Sequence, residues 1–254
     1  MRTLRGALIL LVFAVVPAPA ALAATTGDMT VPELSGSVSP TMDRVGGGPK
    51  SVALGIKLGF SSVDPNQLPA TLAKAELKFT RGAVVNGRWF PKCDPKKLTA
   101  RKKCPRGSLL GRAKIGAAVG PTTADMLAVP LTADLYNGPG GKSIVFHFKG
   151  NVPIPINVVQ VAPLTKIRER FYGFRLVVPV PEVLQMPLVG VPSSVLNFAV
   201  TVSGTVRHKG RRRGYIETSL CPPGAQVPLL GTFTFRDRTQ KSDKSTIVCG
   251  GVLP

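Results

Sequence analysis

The sequence predicts an all-β protein, in the form of an antiparallel β-sandwich of roughly eleven short strands. Two observations favour this class. The 254 residues include 27 glycines and 24 prolines, which interrupt helices and mark turns. Several segments also alternate apolar and polar residues with a period of two, which is typical of strands with one buried face. A β-barrel is the alternative closure, and two stacked small sandwiches divided near residue 140 are a further alternative.

The first 23 residues have the features of a secretory signal peptide. Arg2 and Arg5 precede an apolar run at 6–16, and Ala21-Leu22-Ala23 supplies the small residues of a cleavage site. Cleavage after Ala23 removes two positive charges and lowers the formal charge from +20 to +18. We therefore expect a secreted or extracytoplasmic protein. The alternative is an uncleaved N-terminal anchor.

The rest of the chain is expected to form a flexible lead-in at 24–50 and one β-sandwich domain at 51–254. The lead-in is rich in Thr, Ser, Pro and Gly and ends in three glycines at 46–48. Such a composition favours loops over regular structure, so we expect one edge strand there at most.

Alternation of residue type locates the strands of the domain. In the predicted strand Leu72–Thr80 apolar and polar residues alternate from Ala73 onwards, and Ser143–Lys149 places Ile144, Phe146 and Phe148 on one face. Further predicted strands are Ser51–Phe60, Leu109–Val119, Met126–Tyr136, Phe171–Val180, Val195–Arg207, Tyr215–Leu220, Thr232–Arg236 and Ser245–Cys249.

Three connecting segments give more specific expectations. Asn86-Gly87 indicates a tight hairpin turn, because both residues tolerate positive φ angles. Two prolines confine Val152–Val161 to an edge strand or a bulge. Thr165–Arg170 is expected to form a single helical turn, and 182–192 a proline-broken loop.

The four cysteines predict two disulfide bonds. An even number of cysteines behind a signal peptide favours disulfides over free thiols. We expect Cys93 to pair with Cys104 and Cys221 with Cys249, because each pair brackets one local segment. A zinc site is the weaker alternative, since the chain has no C-x-x-C and both histidines are far from the cysteines in sequence.

At residues 104–113 the chain resembles a set of uncharacterised secreted all-β proteins from soil actinobacteria of the Solirubrobacter type. The shared pattern is C-P-x-x-S-x-x-G-x-A, beginning at Cys104 and preceded by a Lys-rich loop with an earlier Cys. Further matching pieces cover most of the mature chain. The resemblance implies secretion and disulfides, but it implies no activity, ligand or functional residue. The other matches are Leu135-Tyr136-Asn137-Gly138, Tyr172-Gly173, Leu220-Cys221-Pro222-Pro223-Gly224, Phe235-Arg236-Asp237 and the late Cys249.

Two basic loops are the most informative surface feature of the sequence. A strongly positive field attracts polyanions. Export and the lack of interleaved aromatic residues argue against nucleic acid, so an anionic cell-wall polymer or membrane surface is the expected partner. The alternative is that both loops are solvated tips that only aid solubility. The predicted polyanion-binding residues are Lys96, Lys97, Arg101, Lys102, Lys103, Arg211, Arg212 and Arg213.

No pattern predicts a catalytic, metal or cofactor-binding residue. The chain lacks Gly-x-Ser-x-Gly, and its 13 acidic residues are scattered rather than paired. We therefore expect a non-enzymatic protein that associates with the cell envelope or binds an anionic extracellular ligand, without a cofactor. Two alternatives stay open: an extracytoplasmic hydrolase or carbohydrate-active enzyme with an unrecognised site, and a carrier of an apolar ligand, which requires an internal cavity.

Overall fold

The computed structural model describes residues 27–40, 49–151, 155–219 and 221–254, and its regular structure is almost entirely β-strand. The predicted all-β class is confirmed. The predicted signal peptide at 1–23 lies outside the described residues, as do 24–26 and 41–48 of the predicted lead-in.

The described elements comprise fifteen strands and five short helical segments. The strands are β1 Thr30–Pro40, β2 Lys50–Ser62, β3 Leu72–Thr80, β4 Ala83–Val85, β5 Leu109–Val119, β6 Leu127–Asn137, β7 Ser143–Gly150, β8 Ile156–Lys166, β9 Tyr172–Pro179, β10 Ser193–Val202, β11 Thr205–His208, β12 Arg211–Gly214, β13 Ile216–Thr218, β14 Gln226–Phe235 and β15 Gln240–Cys249. The helical segments are α1 Pro95–Thr99, α2 Glu182–Gln185 and the 3-10 helices Gly27–Met29, Gly87–Trp89 and Pro139–Gly141.

Eleven of the strands form one closed barrel, which is the closure that the sequence left as an alternative. Neighbouring strands follow the order β1-β15-β14-β3-β9-β8-β7-β6-β5-β10-β2, and β2 pairs again with β1. Adjacent strands are antiparallel except for β1 and β15, which run parallel. Closure removes the exposed strand edges that an open sheet would present.

Strand β1 completes the barrel, although its residues belong to the segment predicted as a flexible lead-in. It pairs with β2 along its whole length and with β15 through Gly36–Val38, so it is not an edge strand. Its buried residues include Leu34 and Val38, which face the barrel core. The seam between β1 and β15 also holds a hydrogen bond of 2.7 Å from the backbone N–H of Leu34 to the Asp243 carboxylate.

Two predictions about the connecting segments are wrong. Asn86-Gly87 forms no hairpin turn: Asn86 has φ −99°, and a 3-10 helix begins at Gly87. Glycine is needed there for close packing instead, because a Cβ on Gly87 would lie 2.2 Å from the Gly141 carbonyl oxygen. Thr165 and Lys166 likewise continue β8 and do not begin a helical turn.

The predicted edge or bulged strand at Val152–Val161 also differs from the structure. Residues 152–154 lie outside the described part of the chain, and β8 begins after Pro155. This strand pairs with β7 through residues 156–163 and with β9 through residues 164–166. The prolines thus precede the ladder instead of confining it to an edge.

Alternating strand directions place the described loops at two ends of the barrel. We call them the basic end and the opposite end. The basic end comprises 81–82, 86–108, 138–142, 167–171 and 203–215. The opposite end comprises 27–29, 63–71, 120–126, 180–192 and 236–239.

Candidate ligand-binding cavity

The inward-facing side chains of the barrel enclose an apolar cavity of about 210 Å³. The alternation predicted for β3, β7 and β10 supplies much of its wall. In β7 the three residues predicted to share a face, Ile144, Phe146 and Phe148, all line the cavity. In β10 a bulge between Val195 and Asn197 turns Leu196 out of the lining. Hydroxyl groups in the lining belong to Thr80, Ser193, Tyr215 and Thr218.

The number of strands explains why side chains leave this space. A barrel of about eight strands is just wide enough for side chains to fill, and the diameter grows with strand number. Eleven strands therefore enclose more volume than the inward side chains occupy. At about 24 cal/mol for each Å³ of residual cavity, an empty space of about 210 Å³ would cost about 5 kcal/mol of stability. A ligand that filled the cavity would recover much of this free energy.

Aromatic rings fill the barrel interior near the opposite end. The ring of Phe60 meets Phe233 at 5.1 Å and Phe235 at 6.1 Å between centroids, both edge to face. All three rings are buried. Leu184, carried by the short helix α2, lines the cavity at the same end, and the Leu184 carbonyl accepts a hydrogen bond from the Ser193 hydroxyl. Leu184 therefore bounds the cavity on that side, whereas the three rings are not part of its lining.

Tyr215 lies in the wall at the basic end and is 2% exposed. Its backbone is fixed on both sides: its N–H donates to Gly204 O and its carbonyl accepts from Asn86 N, each at 2.8 Å. Its ring packs edge to face against Phe90 with centroids 5.3 Å apart. Burial raises the pKa of Tyr215, so the phenol stays protonated and able to donate. The hydroxyl is buried and finds no hydrogen-bond partner among the residues that the structure describes.

A buried carboxylate stabilises the backbone next to Tyr215. Glu217 is 2% exposed, and it accepts a hydrogen bond from Gly214 N at 3.3 Å and one from the Ser51 hydroxyl at 3.5 Å. Arg213 forms an ion pair with it at 3.4 Å. Buried charge is tolerated only when it is paired in this way. The network therefore fixes β13, and with it the position of Tyr215.

The predicted polyanion-binding residues lie at one end of the barrel. Lys96 and Lys97 belong to α1, Arg101 to Lys103 follow it, and Arg211 to Arg213 form most of β12. All are exposed except Arg213, which is half-buried because it is held by Glu217. The structure thus brings both predicted clusters to the basic end, although they are more than 100 residues apart in sequence.

Charge is segregated between the two ends beyond these two clusters. The described loops of the opposite end carry five acids and two bases: Asp28, Asp64, Asp125, Glu182 and Asp237 against Arg236 and Arg238. The loops of the basic end carry two acids, Asp94 and Glu169. They carry seventeen bases, which are Arg81, Arg88, Lys92, Lys96, Lys97, Arg101, Lys102, Lys103, Arg106, Lys142, Arg168, Arg170, Arg207, Lys209, Arg211, Arg212 and Arg213.

The tryptophan of the chain lies within the basic end. The ring of Trp89 stacks on His208 at 5.1 Å, and the guanidinium groups of Arg88 and Arg213 lie 4.7 and 5.1 Å from its centroid. Cations over an indole face are stabilised by its quadrupole. This contact joins the β11–β12 hairpin to the loop at 86–108. No spacing in the sequence indicated it.

Both predicted disulfides are confirmed, Cys93–Cys104 and Cys221–Cys249. The first lies in the loop at 86–108, where Cys93 packs with Leu98 of α1 against Val145 of the barrel wall. Asn137 is a second anchor for this loop. Its side-chain amide donates to the carbonyls of Gly87, Phe90 and Pro91 at 2.9–3.1 Å. The loop that carries the first basic cluster is therefore held against the barrel.

Two titratable side chains of the barrel wall outside this end, His147 and Asp134, take part in local pairs. His147 bonds to the Asn157 amide oxygen at 2.6 Å, and Asp134 contacts both Lys149 and Arg112. Burial alone would raise the pKa of Asp134, but the hydrogen bond and charge of Lys149, with Arg112, outweigh it and lower this pKa. Within the described residues, no three His, Cys, Asp or Glu side chains are grouped as metal ligands.

The fold and the cavity define a closed β-barrel with an apolar interior and one strongly cationic end. Comparison of the chain with protein-family models, curated proteins and solved structures gives no significant match. Within the described part of the chain, no helix has both the length and the apolar character needed to cross a membrane. The features of the molecule that bear on its function are therefore the cavity and the charge distribution.

Proposed function

We propose that this chain is a binding protein that holds an apolar ligand inside the barrel. The observation that carries the proposal is the cavity of about 210 Å³ within a wall of aliphatic and aromatic side chains. Apolar cavities of about 150 Å³ stay dry and bind molecules such as benzene. Such a wall binds by burying apolar surface, at about 25 cal/mol for each Å² removed from water.

Dye binding by the mature protein tests this proposal. The probe is N-phenyl-1-naphthylamine, a neutral apolar dye whose fluorescence rises on leaving water. The variant Ala117→Phe places a ring into the cavity, because Ala117 lines it from β5. The matched control is Ala128→Phe, since Ala128 is exposed on the adjacent strand β6.

We expect the cavity variant to bind the dye at least about tenfold more weakly, because the inserted ring occupies the volume that the dye would fill. The dye affinity of the control should equal that of the wild type within about twofold. Far-UV circular dichroism and urea unfolding check that both variants fold. Equal dye affinity in the cavity variant and the control, with both folded, would exclude the barrel interior as the binding site.

Attachment to an anionic envelope surface is a second proposed function, favoured by the segregation of charge. A cationic end on a barrel can bind an anionic wall polymer or acidic lipid while the opposite end stays free. It is also consistent with the proposed export of the mature chain. If export is correct, the protein recovered from culture medium or envelope begins at Ala24, which N-terminal sequencing measures.

Sedimentation with isolated cell walls and with anionic lipid vesicles tests the attachment. The charge variant replaces Lys97, Lys102, Arg211 and Arg212 with Gln. The control replaces four exposed cations away from the basic end, Lys57, Lys114, Arg238 and Lys244, so both lose the same charge. We expect the charge variant to stay in the supernatant and the control to sediment with the cell walls and the vesicles.

Salt gives an independent measure of the same attachment. Raising salt from about 0.1 M to about 1 M shortens the Debye length from about 10 Å to about 3 Å, which should release the wild type. Equal retention of the two charge variants, or retention that does not change with salt, would refute attachment by the basic end.

A further inference from the structure

We infer that residues 181–191 form a gate over the cavity at the opposite end of the barrel, and that the ion pair between Glu182 and Arg236 holds this gate closed. The inference rests on the proposed apolar-ligand function and names the route by which the ligand reaches that same site. We call residues 181–191 the strap. They connect β9 to β10 and include the short helix α2.

The order of the strands requires the strap to cross the end of the barrel. Strands β8, β7, β6 and β5 separate β9 from β10 on one side, and β2, β1, β15, β14 and β3 separate them on the other. The two strands therefore lie on opposite sides of the closed sheet. Helix α2 contacts both β3 and β10, which are also far apart around the barrel. The strap thus passes over the interior instead of following the rim.

The strap is also part of the cavity wall. Leu184 lines the cavity and packs against the buried core, while its neighbour Val183 is 55% exposed. Val180 and Ser193, which lie just before and just after the strap, belong to the same lining. At this point one short segment separates the apolar interior from solvent. Displacement of the strap would therefore open a path into the cavity.

Few buried contacts hold the strap in place. Of residues 181–191, all of which the structure describes, only Gln185 is buried, and Val189 is fully exposed. Its backbone hydrogen bonds join residues within the strap, apart from those of its flanking strands. The Gln185 amide donates to the carbonyl of Val180, which is also a near neighbour in sequence. Segments with few buried apolar contacts open at the lowest cost in free energy.

The ion pair joins the strap to a distant part of the chain. Arg236, in the turn between β14 and β15, places its Nη1 2.5 Å from Glu182 Oε1. In the described part of the chain, this is the polar side-chain contact that links the strap to a segment other than its flanking strands. Both side chains are exposed, so solvent weakens the pair and it favours the closed state by a factor of about five at most. A contact of this strength can open and close readily.

The cavity wall at the basic end is held more firmly. It is formed there by β4 and β13, which pair with each other, and β13 also pairs with β2. Opening at that end would break the hydrogen bonds of these ladders, whereas the strap is not part of any barrel ladder. The disulfide Cys93–Cys104 further fastens the loop at 86–108. Ligand exchange is therefore expected at the opposite end.

Stopped-flow fluorescence with N-phenyl-1-naphthylamine tests the gate in the mature protein. The variant Glu182→Arg replaces the attraction to Arg236 with repulsion. Combining it with Arg236→Glu reverses both charges and restores the pair. The matched control is Glu169→Arg, because Glu169 forms a similar exposed pair with Lys78 at the basic end, with 2.8 Å between the charged atoms. The dye is neutral, so the added charge does not itself change its approach.

We expect Glu182→Arg to raise the association and dissociation rate constants of the dye together, by about three- to tenfold, through the lost attraction and the new repulsion. The dissociation constant should stay within about twofold, because a gate changes how often the path opens and not the affinity of the cavity. The charge-reversed double variant and Glu169→Arg should both match the wild-type rates within about twofold. Circular dichroism and urea unfolding check that all variants fold.

Unchanged exchange in Glu182→Arg, or equal acceleration by Glu169→Arg, would overturn the gate while leaving the apolar cavity function intact. Faster dissociation alone, with weaker affinity, would show that the ion pair shapes the closed cavity, and this result would also overturn the gate. Absence of dye binding by the wild type would contradict the proposed function itself.

Discussion

Phe60 and Phe233 meet edge to face with ring centroids 5.1 Å apart, and together they bridge the barrel from β2 to β14. These two strands are separated in the barrel by β1 and β15. The ring pair therefore packs across the seam where the first and last strands of the chain run parallel. It links the closure of the barrel directly to the packing of its interior.

Removing one of these rings should weaken the whole fold. Phe233 is fully buried, so we expect Phe233→Ala to lower the free energy of unfolding by about 3–5 kcal/mol through lost burial and a new cavity. Urea unfolding measures the change. The matched control is Phe171→Ala, because Phe171 is 55% exposed, and it should change stability by less than about 0.5 kcal/mol. A change below about 1 kcal/mol for Phe233→Ala would show that the ring pair does not support closure.

The disulfide Cys221–Cys249 should contribute more than Cys93–Cys104. The sequence separations are 28 and 11 residues, and loop-closure entropy in the unfolded chain grows with loop length. We expect the double Cys→Ser variant at Cys221 and Cys249 to lose about 3–4 kcal/mol of unfolding free energy. The double variant at Cys93 and Cys104 should lose about 3 kcal/mol. Urea unfolding of each double variant measures this. A larger loss of stability for the Cys93–Cys104 variant would contradict this prediction. It would indicate that residual structure in the unfolded chain, and not loop length, determines how much each disulfide contributes.

The positions of many strands could be predicted because they depend on local alternation. The predicted strands Leu72–Thr80 and Leu109–Val119 coincide with β3 and β5. The two disulfides were predictable for a similar reason, since each pair closes a local segment. Side-chain alternation fixes which residues share a face, and that face became the cavity wall.

The closure of the sheet and the site within it could not be predicted in this way. Pairing of Gly36 in β1 with Ile247 in β15 joins residues from opposite ends of the chain, and no local pattern encodes such a partner. Whether the interior is filled depends on the number of strands around the barrel, which is a property of the closed sheet. The basic residues were visible in the sequence, but their position at a common end follows from strand direction.

Asn137 should control how firmly the first basic cluster is held. Its side chain is buried and donates to three carbonyls of the loop at 86–108. We expect Asn137→Ala to lower the free energy of unfolding by about 1–3 kcal/mol, because those carbonyls lose their donor in a buried site. The loop contains several lysines and arginines, so limited trypsin digestion should cleave it faster in the variant. Asn157→Ala, at an exposed position of β8, is the control and should leave that cleavage rate unchanged.

Acid should weaken the barrel wall through Asp134. Lys149 lies 2.6 Å and Arg112 3.3 Å from its carboxylate oxygens, and they hold the pKa of Asp134 below its ordinary value despite partial burial. A lowered pKa in the folded state means that the stabilisation is present above the unfolded pKa, near pH 4, and is lost as pH falls through the folded value. Both cations are partly exposed, so we expect Asp134→Asn to lose no more than about 1 kcal/mol at neutral pH. This difference from the wild type should shrink as pH falls below about 4 and through the lowered pKa of Asp134, and urea unfolding at neutral pH and at a series of acidic pH values measures it. A difference that stayed the same over the whole acidic series would mean that the charge of Asp134 does not stabilise the wall.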